Sequence, residues 1–308
     1  MGARHAEGSR VITATSGSAG RVVDAACPSL LRSSEVILVV RVESPYVPDT
    51  APSREVVSGL VDLLMRSGVE VSLLITARYG RRSELERFYG FRTVDTSTLT
   101  RTSVKVVDRR GSIANAHLYR EVYTEGLLIA RPRTDDVFSL TGAAPQLMLS
   151  ALTREALSIA MGSLASANVN TVIVNLCRKP LCALLEGTYV IEGDAPFLGR
   201  ARRWGYVVLS KDPLLLDMAV SRLLLLPQEP PYLEFLRRVA KSIRLPEPLL
   251  LGDAPAPIRL TPHRFSAVAR RYGGLEFLMR RAEELISKGS LCGDKPLITA
   301  PEASSSCG

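Results

Sequence analysis

The sequence has few aromatic residues and no long apolar run, and both absences restrict the class of protein. Only 6% of its 308 residues are aromatic, while 46% are hydrophobic, so a large aliphatic core is expected. The longest apolar runs, 36–40 and 223–226, are far shorter than the roughly 20 residues that cross a bilayer. The N-terminal segment lacks the apolar region of a secretory signal. We therefore expect a soluble, cytoplasmic protein with no membrane partner.

Cysteine is also scarce, and its spacing argues against metal and redox chemistry. The five cysteines are spread along the chain with no C-x-x-C pair, so no disulfide framework is expected. Cys177 and Cys182 are the closest pair, and two thiolates cannot complete a four-ligand metal site. The pattern favours thiols at a strand end over a metal site there. We expect no metal, no iron–sulfur cluster and no other cofactor.

Histidine is rare, and the common nucleotide-binding loops are absent. The histidines are His5, His117 and His263, and none has a second ligand at metal spacing. His117 lies in a stretch that we interpret as helical. The sequence shows no Ser–His–Asp or Cys–His order, no P-loop and no G-x-G-x-x-G. Classical nucleotide binding and triad-type hydrolysis therefore have little support.

Positive charge is in excess, which raises the question of an anionic partner. The formal net charge is +8 and the sequence pI is 9.4. Basic pairs such as Arg81–Arg82 and Arg237–Arg238 are spread evenly along the chain, and most lie beside Glu or Asp. This distribution favours a solvated surface over a nucleic-acid-binding face. Nucleic acid is therefore not an expected partner.

Short β-branched runs alternate with segments of helical periodicity, as in βαβ units. This predicts an α/β fold in one or two lobes, with a mainly parallel sheet flanked by helices. The predicted strands are 10–15, 36–42, 69–76, 104–107, 126–130, 171–176 and 205–210. The predicted helices are 19–31, 53–67, 83–89, 145–164, 214–226, 231–243 and 265–288.

Composition also divides the chain. We expect a flexible N-terminus over 1–9, one α/β domain over 10–265, a C-terminal helix over 266–288 and a flexible tail over 289–308. Nothing in the pattern indicates an oligomeric state.

The segment 184–226 carries the most informative motif. Its residues are Glu186 and Gly187 at a strand end, Glu192, Gly193, Pro196 and Gly199 in a loop, and Asp212, Pro213 and Asp217 at a helix. This order resembles the family called domain of unknown function 362, and a weaker resemblance extends over residues 10–265. The resemblance implies an α/β fold.

The chain departs from this family where members usually carry lysine or histidine. It reads VVRVESP in place of a Lys-Pro-Asn stretch, and Arg131-Pro132-Arg133-Thr134-Asp135 in place of Lys-x-Lys-Thr-His. The Lys-Asn that usually follows Thr-Gly is also missing. Many members carry a ferredoxin-like run of cysteines, which this chain lacks. The chain therefore resembles a divergent member without cluster-based redox chemistry.

Two loops that follow predicted strands carry the candidate site. Arg131 and Arg133 are two positions apart, so in an extended loop they face the same side and suit a carboxylate or phosphate. The alternative is internal pairing with Asp135 and Asp136. Ligands of open α/β sheets bind at the carboxyl ends of strands, which is where this loop is predicted.

The loop EGDAPFLG is the second candidate. Its Glu192 and Asp194 can accept hydrogen bonds or hold a cation, or the loop is only a strand connection. Asp217 lies in an apolar helix, so a buried carboxylate there needs a partner such as Arg131, Arg133 or Lys211. We predict Glu192, Asp194 and Asp217 as catalytic. The predicted ligand-binding residues are Arg131, Arg133, Thr141, Gly142, Glu186, Gly193 and Lys211.

Three functions remain open at this point. The first is an enzyme or binding protein for a small anionic ligand held between the two loops. The second is a non-catalytic family member with a scaffold or regulatory role, which the missing Lys and His positions favour. The third is a basic nucleic-acid-binding protein, which requires a single arginine-lined face and strong salt dependence.

Overall fold

The structure is a computed structural model, which describes residues 9–44, 50–77, 81–177, 180–196, 198–265, 274–289 and 291. Its strands are β1 (Arg10–Thr15), β2 (Glu35–Val42), β3 (Glu70–Ala77), β4 (Arg101–Val107), β5 (Ile113–Tyr119), β6 (Gly126–Ala130), β7 (Arg133–Asp135), β8 (Ser139–Thr141), β9 (Cys182–Asp194), β10 (Leu198–Ser210) and β11 (Leu249–Gly252).

The α-helices are α1 (Ala19–Ala26), α2 (Arg54–Arg66), α3 (Arg82–Tyr89), α4 (Glu121–Thr124), α5 (Ala143–Ala151), α6 (Arg154–Ala160), α7 (Leu164–Cys177), α8 (Pro213–Leu223), α9 (Pro231–Ala240) and α10 (Leu275–Ser287). Within the described part of the chain, no helix combines the length and the apolarity that a membrane span needs.

The predicted α/β fold is confirmed, with a sheet of mixed direction. The nine-stranded main sheet has the order β11-β1-β10-β9-β6-β2-β3, and β7 and β8 extend it beside β9. Strands β9, β6, β2 and β3 are parallel, and β11 is parallel to β1. Strand β10 is antiparallel to both of its neighbours. A separate hairpin consists of β4 and β5.

Each face of the sheet has its own hydrophobic core. Helices α1, α2 and α3 cover one face, where Val40 of β2 and Leu60 of α2 are buried. Helices α5, α7, α8, α9 and α10 cover the other, where Val39 of β2 and Ile173 of α7 are buried. We refer to these as the α2 face and the α7 face. Because side chains alternate along a strand, each charged residue at the strand ends can be assigned to one of them.

Helix α2 begins and ends as its sequence predicts. The side chain of Ser53 accepts a hydrogen bond from Val56 N at 3.3 Å and so caps the helix. Gly68 follows the helix with φ +80°, a conformation that glycine adopts without steric cost. The chain then enters β3 directly, which completes a parallel connection from β2.

The strand predicted over 171–176 is wrong, because this segment belongs to helix α7. The β-branched run there predicts a strand, but α7 is buried on nearly every side and so shows no amphipathic period. Asn170 and Asn175 donate to backbone carbonyls, which satisfies polar groups that the core encloses. Length and tertiary burial override the local β propensity here.

Two further predictions are wrong: the helical assignment of His117 and the absence of disulfides. His117 lies on strand β5 and not in a helix, and its carbonyl accepts a hydrogen bond from Thr153 N at 3.0 Å. Cys182 forms a disulfide with Cys27, whereas we expected no disulfide framework. His5 lies outside the described residues.

Candidate functional site

The parallel strands β2 and β6 end at the same edge of the sheet, where charged residues follow apolar strands. Arg41 and Glu43 lie at the end of β2, and Arg131 and Arg133 follow β6. All four are buried. Since a buried charge is costly without a partner, this edge requires a set of ion pairs.

Arg131 pairs with Glu186 on the α2 face. Its Nε donates to Glu186 Oε2 at 2.9 Å, and its Nη2 donates to the same oxygen. Glu186 also accepts from the backbone N–H of Ser53 at 3.3 Å and of Thr188 at 3.0 Å. One buried carboxylate therefore fixes the arginine, the start of α2 and the middle of β9.

Arg133 pairs with Glu43, which follows β2 at the same edge of the sheet. Arg41 Nη2 lies 3.9 Å from the same carboxylate. Within the described residues, Nε and Nη1 of Arg133 and Oε2 of Glu43 have no hydrogen-bond partner. Burial raises the pKa of the neighbouring Asp135, against the effect of Arg133.

The two arginines therefore pair with two different carboxylates, Glu186 and Glu43. Pro132 separates them, after which the chain forms β7 and pairs with Ile191 of β9 and Thr141 of β8. Neither arginine forms an ion pair with Asp136 or Asp135. The alternative of pairing with Asp135 and Asp136 is therefore wrong, because the carboxylate partners are Glu186 and Glu43.

Thr141, Gly142 and Asp217 form a buried junction between β8, α5 and α8. Asp217 accepts hydrogen bonds from Ala143 N at 2.6 Å, Ala144 N at 2.9 Å and the hydroxyl of Tyr232 at 2.9 Å. Its partners are thus backbone amides and a phenol, and not Arg131, Arg133 or Lys211. Burial raises the pKa of Asp217 to about 7, although the three hydrogen bonds favour the charged form.

Glu192, Gly193 and Asp194 hold segment 259–264 against the β9–β10 hairpin. Glu192 Oε2 accepts from Thr261 N at 2.8 Å, and Gly193 N donates to Thr261 O at 2.9 Å. Asp194 accepts from Arg264 N at 3.1 Å and pairs with its Nε at 2.6 Å. The backbone N–H of Arg264, assisted by its guanidinium, lowers the pKa of Asp194.

Lys211 lies toward the opposite end of the strands from Arg131. It follows Ser210, which is level with Ala183 near the start of β9, whereas Arg131 is beyond Leu185. The sequence prediction therefore combines residues from three places. Arg131 and Glu186 are together, Thr141, Gly142 and Asp217 are together, and Glu192, Gly193 and Asp194 are together.

A cavity of about 520 Å³ opens beside Arg131 on the α2 face, and we call it the edge cavity. Gly17, Ala51, Pro52, Val56 and Phe88 contribute apolar or small surfaces. Its polar lining consists of Ser16, Ser53, Arg54, Glu55, Arg131, Thr188 and Tyr189. Of the predicted site residues, Arg131 lines it, and Glu186 lies directly behind Arg131.

Sequence reasoning missed most of the residues that line the edge cavity. The sequence places Ser53 only at the start of the predicted helix 53–67, and it gives no role to Arg54 or Tyr189. A signal was present, because β1, β6 and the start of α2 are all predicted from sequence and meet at the carboxyl edge of a parallel sheet. Among the described residues, no group of three or more His, Cys, Asp or Glu side chains has metal-binding geometry.

The fold and this edge define an α/β protein with a polar cavity at the strand ends. No protein-family model matches the chain, and no curated protein matches it. A crystal structure of a Thermotoga maritima protein, from the Northeast Structural Genomics Consortium, is similar with a TM-score of 0.40 and 12% identity. The match covers 62% of this chain and 54% of that protein. This chain therefore spans about half the length of its structural neighbour.

Proposed function

We propose that this protein binds a small anionic molecule in the edge cavity. The observation that carries the proposal is the position of Arg131, which is buried in the cavity wall beside the N-terminus of α2. Unlike a surface arginine, it is fixed by Glu186, so its guanidinium presents a defined geometry without a further entropic cost.

Charge and hydrogen-bonding groups in the cavity support an anion of low charge. Glu186 neutralises Arg131, and the exposed Arg54 is offset by Glu55, so the helix N-terminus supplies much of the remaining positive potential. The hydroxyls of Thr188 and Tyr189 add donors and acceptors. A monophosphate or a hydroxylated carboxylate fits this combination better than a polyanion.

Binding fits the cavity better than catalysis by the predicted carboxylates. Glu192, Asp194 and Asp217 do not belong to the described lining of the edge cavity, and each is engaged in other contacts. A general acid or base must lie within hydrogen-bond reach of the reacting group. We therefore propose a binding protein. A reaction in this cavity would need Tyr189 or Glu55 to transfer a proton.

Kinship with the family called domain of unknown function 362 is a further proposal. It is supported by the arrangement of its motif residues, since Glu192 and Gly193 end strand β9 and Asp212 caps α8 with Pro213 at its first position. The family gives no additional assignment for the edge cavity.

Calorimetric titration with inorganic phosphate and with malate tests the binding proposal. Arg54→Gln removes an exposed charge at the cavity mouth and should weaken the bound anion about tenfold, or about 1.4 kcal/mol, with the melting temperature unchanged. Arg66→Gln, at the opposite end of the same helix, is the matched control and should bind like the unmodified protein. The proposal is wrong if neither anion binds, or if the two variants bind equally.

A further inference from the structure

A second depression lies on the α7 face, away from the edge cavity. It runs between segments 225–228 and 259–264 and consists of two adjoining cavities of about 900 and 290 Å³. Both are lined by Leu226, Pro227 and Pro262, so they form one continuous groove. We call it the arginine groove.

Residues that are distant in the sequence supply the charge of this groove. Arg202 on β10 and Arg259 line the larger cavity, and Arg264 lines the smaller one. Arg200 precedes Arg202 by two positions on the same strand, so both side chains lie on one face of the hairpin, about 6.8 Å apart. The fold thus brings Arg202, Arg259 and Arg264 to one groove with Arg200 beside it on the same strand, which the even spread of basic residues in the sequence does not predict.

Two of these arginines are held in place by carboxylates. Arg202 Nη1 lies 3.4 Å from Glu192 Oε2 and donates to the carbonyl of Arg259 at 2.5 Å. Arg264 Nε lies 2.6 Å from Asp194 Oδ2. These contacts fix segment 259–264 against the hairpin and give the groove a rigid wall.

The other two arginines are Arg200, which lies directly opposite Glu192 across the hairpin, and Arg259. Arg200 and Arg259 are exposed, and in the part of the chain that the structure describes neither forms an ion pair. In the larger cavity, Leu225, Leu226 and Pro227 form an apolar wall beside Arg259, and Leu225 is 46% exposed to solvent. An occupant must therefore combine a negatively charged backbone with uncharged planar or apolar groups.

We infer that the arginine groove binds single-stranded nucleic acid through its sugar–phosphate backbone. Guanidinium groups bind phosphate oxygens in a bidentate manner, and the spacing of Arg200 and Arg202 is comparable to that of neighbouring phosphates in an extended strand. The bases contact Leu225, Pro227 and Pro262. The net charge of +8 adds a long-range attraction for a polyanion.

An acidic peptide fits the groove less well, because an extended peptide needs free main-chain partners. The backbone N–H groups of Leu260 and Thr261 already donate to Leu224 O and Glu192 Oε2. Pro227 and Pro262 have no N–H group. Nucleic acid requires none of these, since its contacts are made to arginine side chains.

Fluorescence anisotropy with a labelled oligothymidylate of about 15 nucleotides tests this inference. The logarithm of the association constant should fall linearly with the logarithm of the salt concentration between about 50 and about 200 mM. The double variant Arg200→Ala, Arg259→Ala should bind about tenfold more weakly at low salt. Its slope should be shallower by about 1.4, or about 0.7 for each lost phosphate contact on a single strand.

The matched control is the double variant Arg66→Ala, Arg87→Ala, which removes the same charge from helices on the α2 face. It should keep the original slope, and circular dichroism should show all three proteins equally folded. The inference is overturned if the oligonucleotide does not bind, or if both double variants lose the same affinity. It is also overturned if a labelled oligoglutamate binds more tightly and shows the same dependence on Arg200 and Arg259.

Discussion

Gly142 and Asp217 are in such close contact that no side chain larger than hydrogen fits at position 142. A Cβ atom on Gly142 would overlap both oxygens and the Cγ atom of the Asp217 carboxylate. The φ of Gly142 is −91°, so the backbone alone would accept another residue. The glycine is needed for packing, because it lets the carboxylate reach the first two amides of α5.

Gly142→Ala should therefore lower the free energy of unfolding by about 3 kcal/mol, since either the carboxylate or helix α5 must move. Gly59→Ala is the matched control, because Gly59 lies in α2 with nothing within 4 Å of an added Cβ. It should stabilise the protein by about 0.5–1 kcal/mol through helix propensity. Urea unfolding measures both, and equal effects would contradict the packing argument.

Asp217 should make stability depend on pH in a defined direction. Its pKa is about 7 in the folded protein and 3.8 as the ordinary value, so the folded state retains a proton that the unfolded state loses. The contribution of this retained proton to the free energy of unfolding is complete below about pH 4 and is lost as the pH rises through about 7.

Between about pH 5 and pH 8 the unmodified protein should therefore lose about 2.5 kcal/mol more stability than Asp217→Asn, which does not titrate. Because Asp135 is present in both proteins, its own raised pKa cancels in this comparison. Urea unfolding at the two pH values gives the difference. Parallel pH profiles for the two proteins would show that Asp217 is charged throughout.

The Arg131–Glu186 pair should behave as a buried pair and not as a surface contact. Glu186→Ala removes the carboxylate that pairs with this buried guanidinium and should cost about 3–5 kcal/mol. Replacing both residues by Leu should recover most of this loss. The control is Glu247→Ala, whose partner Arg222 is solvent-exposed, and it should cost less than about 1 kcal/mol. Similar losses in the two single variants would rule out the distinction.

The disulfide between Cys27 and Cys182 joins the end of α1 to the start of β9 across 155 positions of sequence. Closing so long a loop restricts the unfolded chain, so the double variant Cys27→Ala, Cys182→Ala should be less stable by about 4 kcal/mol. A reductant should lower the stability of the unmodified protein more than that of the variant. Equal responses would indicate that this bridge contributes nothing.

Most of the sheet could be predicted because its strands are apolar runs bounded by turn residues. Strands 10–15 and 126–130 have the predicted bounds, and the helix predicted over 53–67 matches α2 to within one residue at each end. Helix α7 could not be recognised in the same way. A segment buried on all sides carries no periodicity, so its β-branched residues predict a strand.

The site was harder to predict than the fold, because its pairs join residues that are far apart in sequence. Arg131 was found from its position after a strand, but its partner Glu186 is 55 residues away. Arg41 and Glu43 were a missed signal, since charged residues that interrupt a buried strand require partners. The arginines in and beside the arginine groove come together only through the β9–β10 hairpin and segment 259–264.

The position of β1 in the sheet also affects the order in which the chain can fold during synthesis. β1 is the first described strand to leave the ribosome, yet its neighbours β10 and β11 are made about 200 and about 240 residues later. Thr13 donates a hydrogen bond to the carbonyl of Leu251 on β11. Until then β1 has no neighbouring strand to pair with, and its exposed apolar side chains can aggregate with other nascent chains. The α2 face around β2, β3 and β6 can assemble early, whereas closure of the sheet must wait for nearly the whole chain.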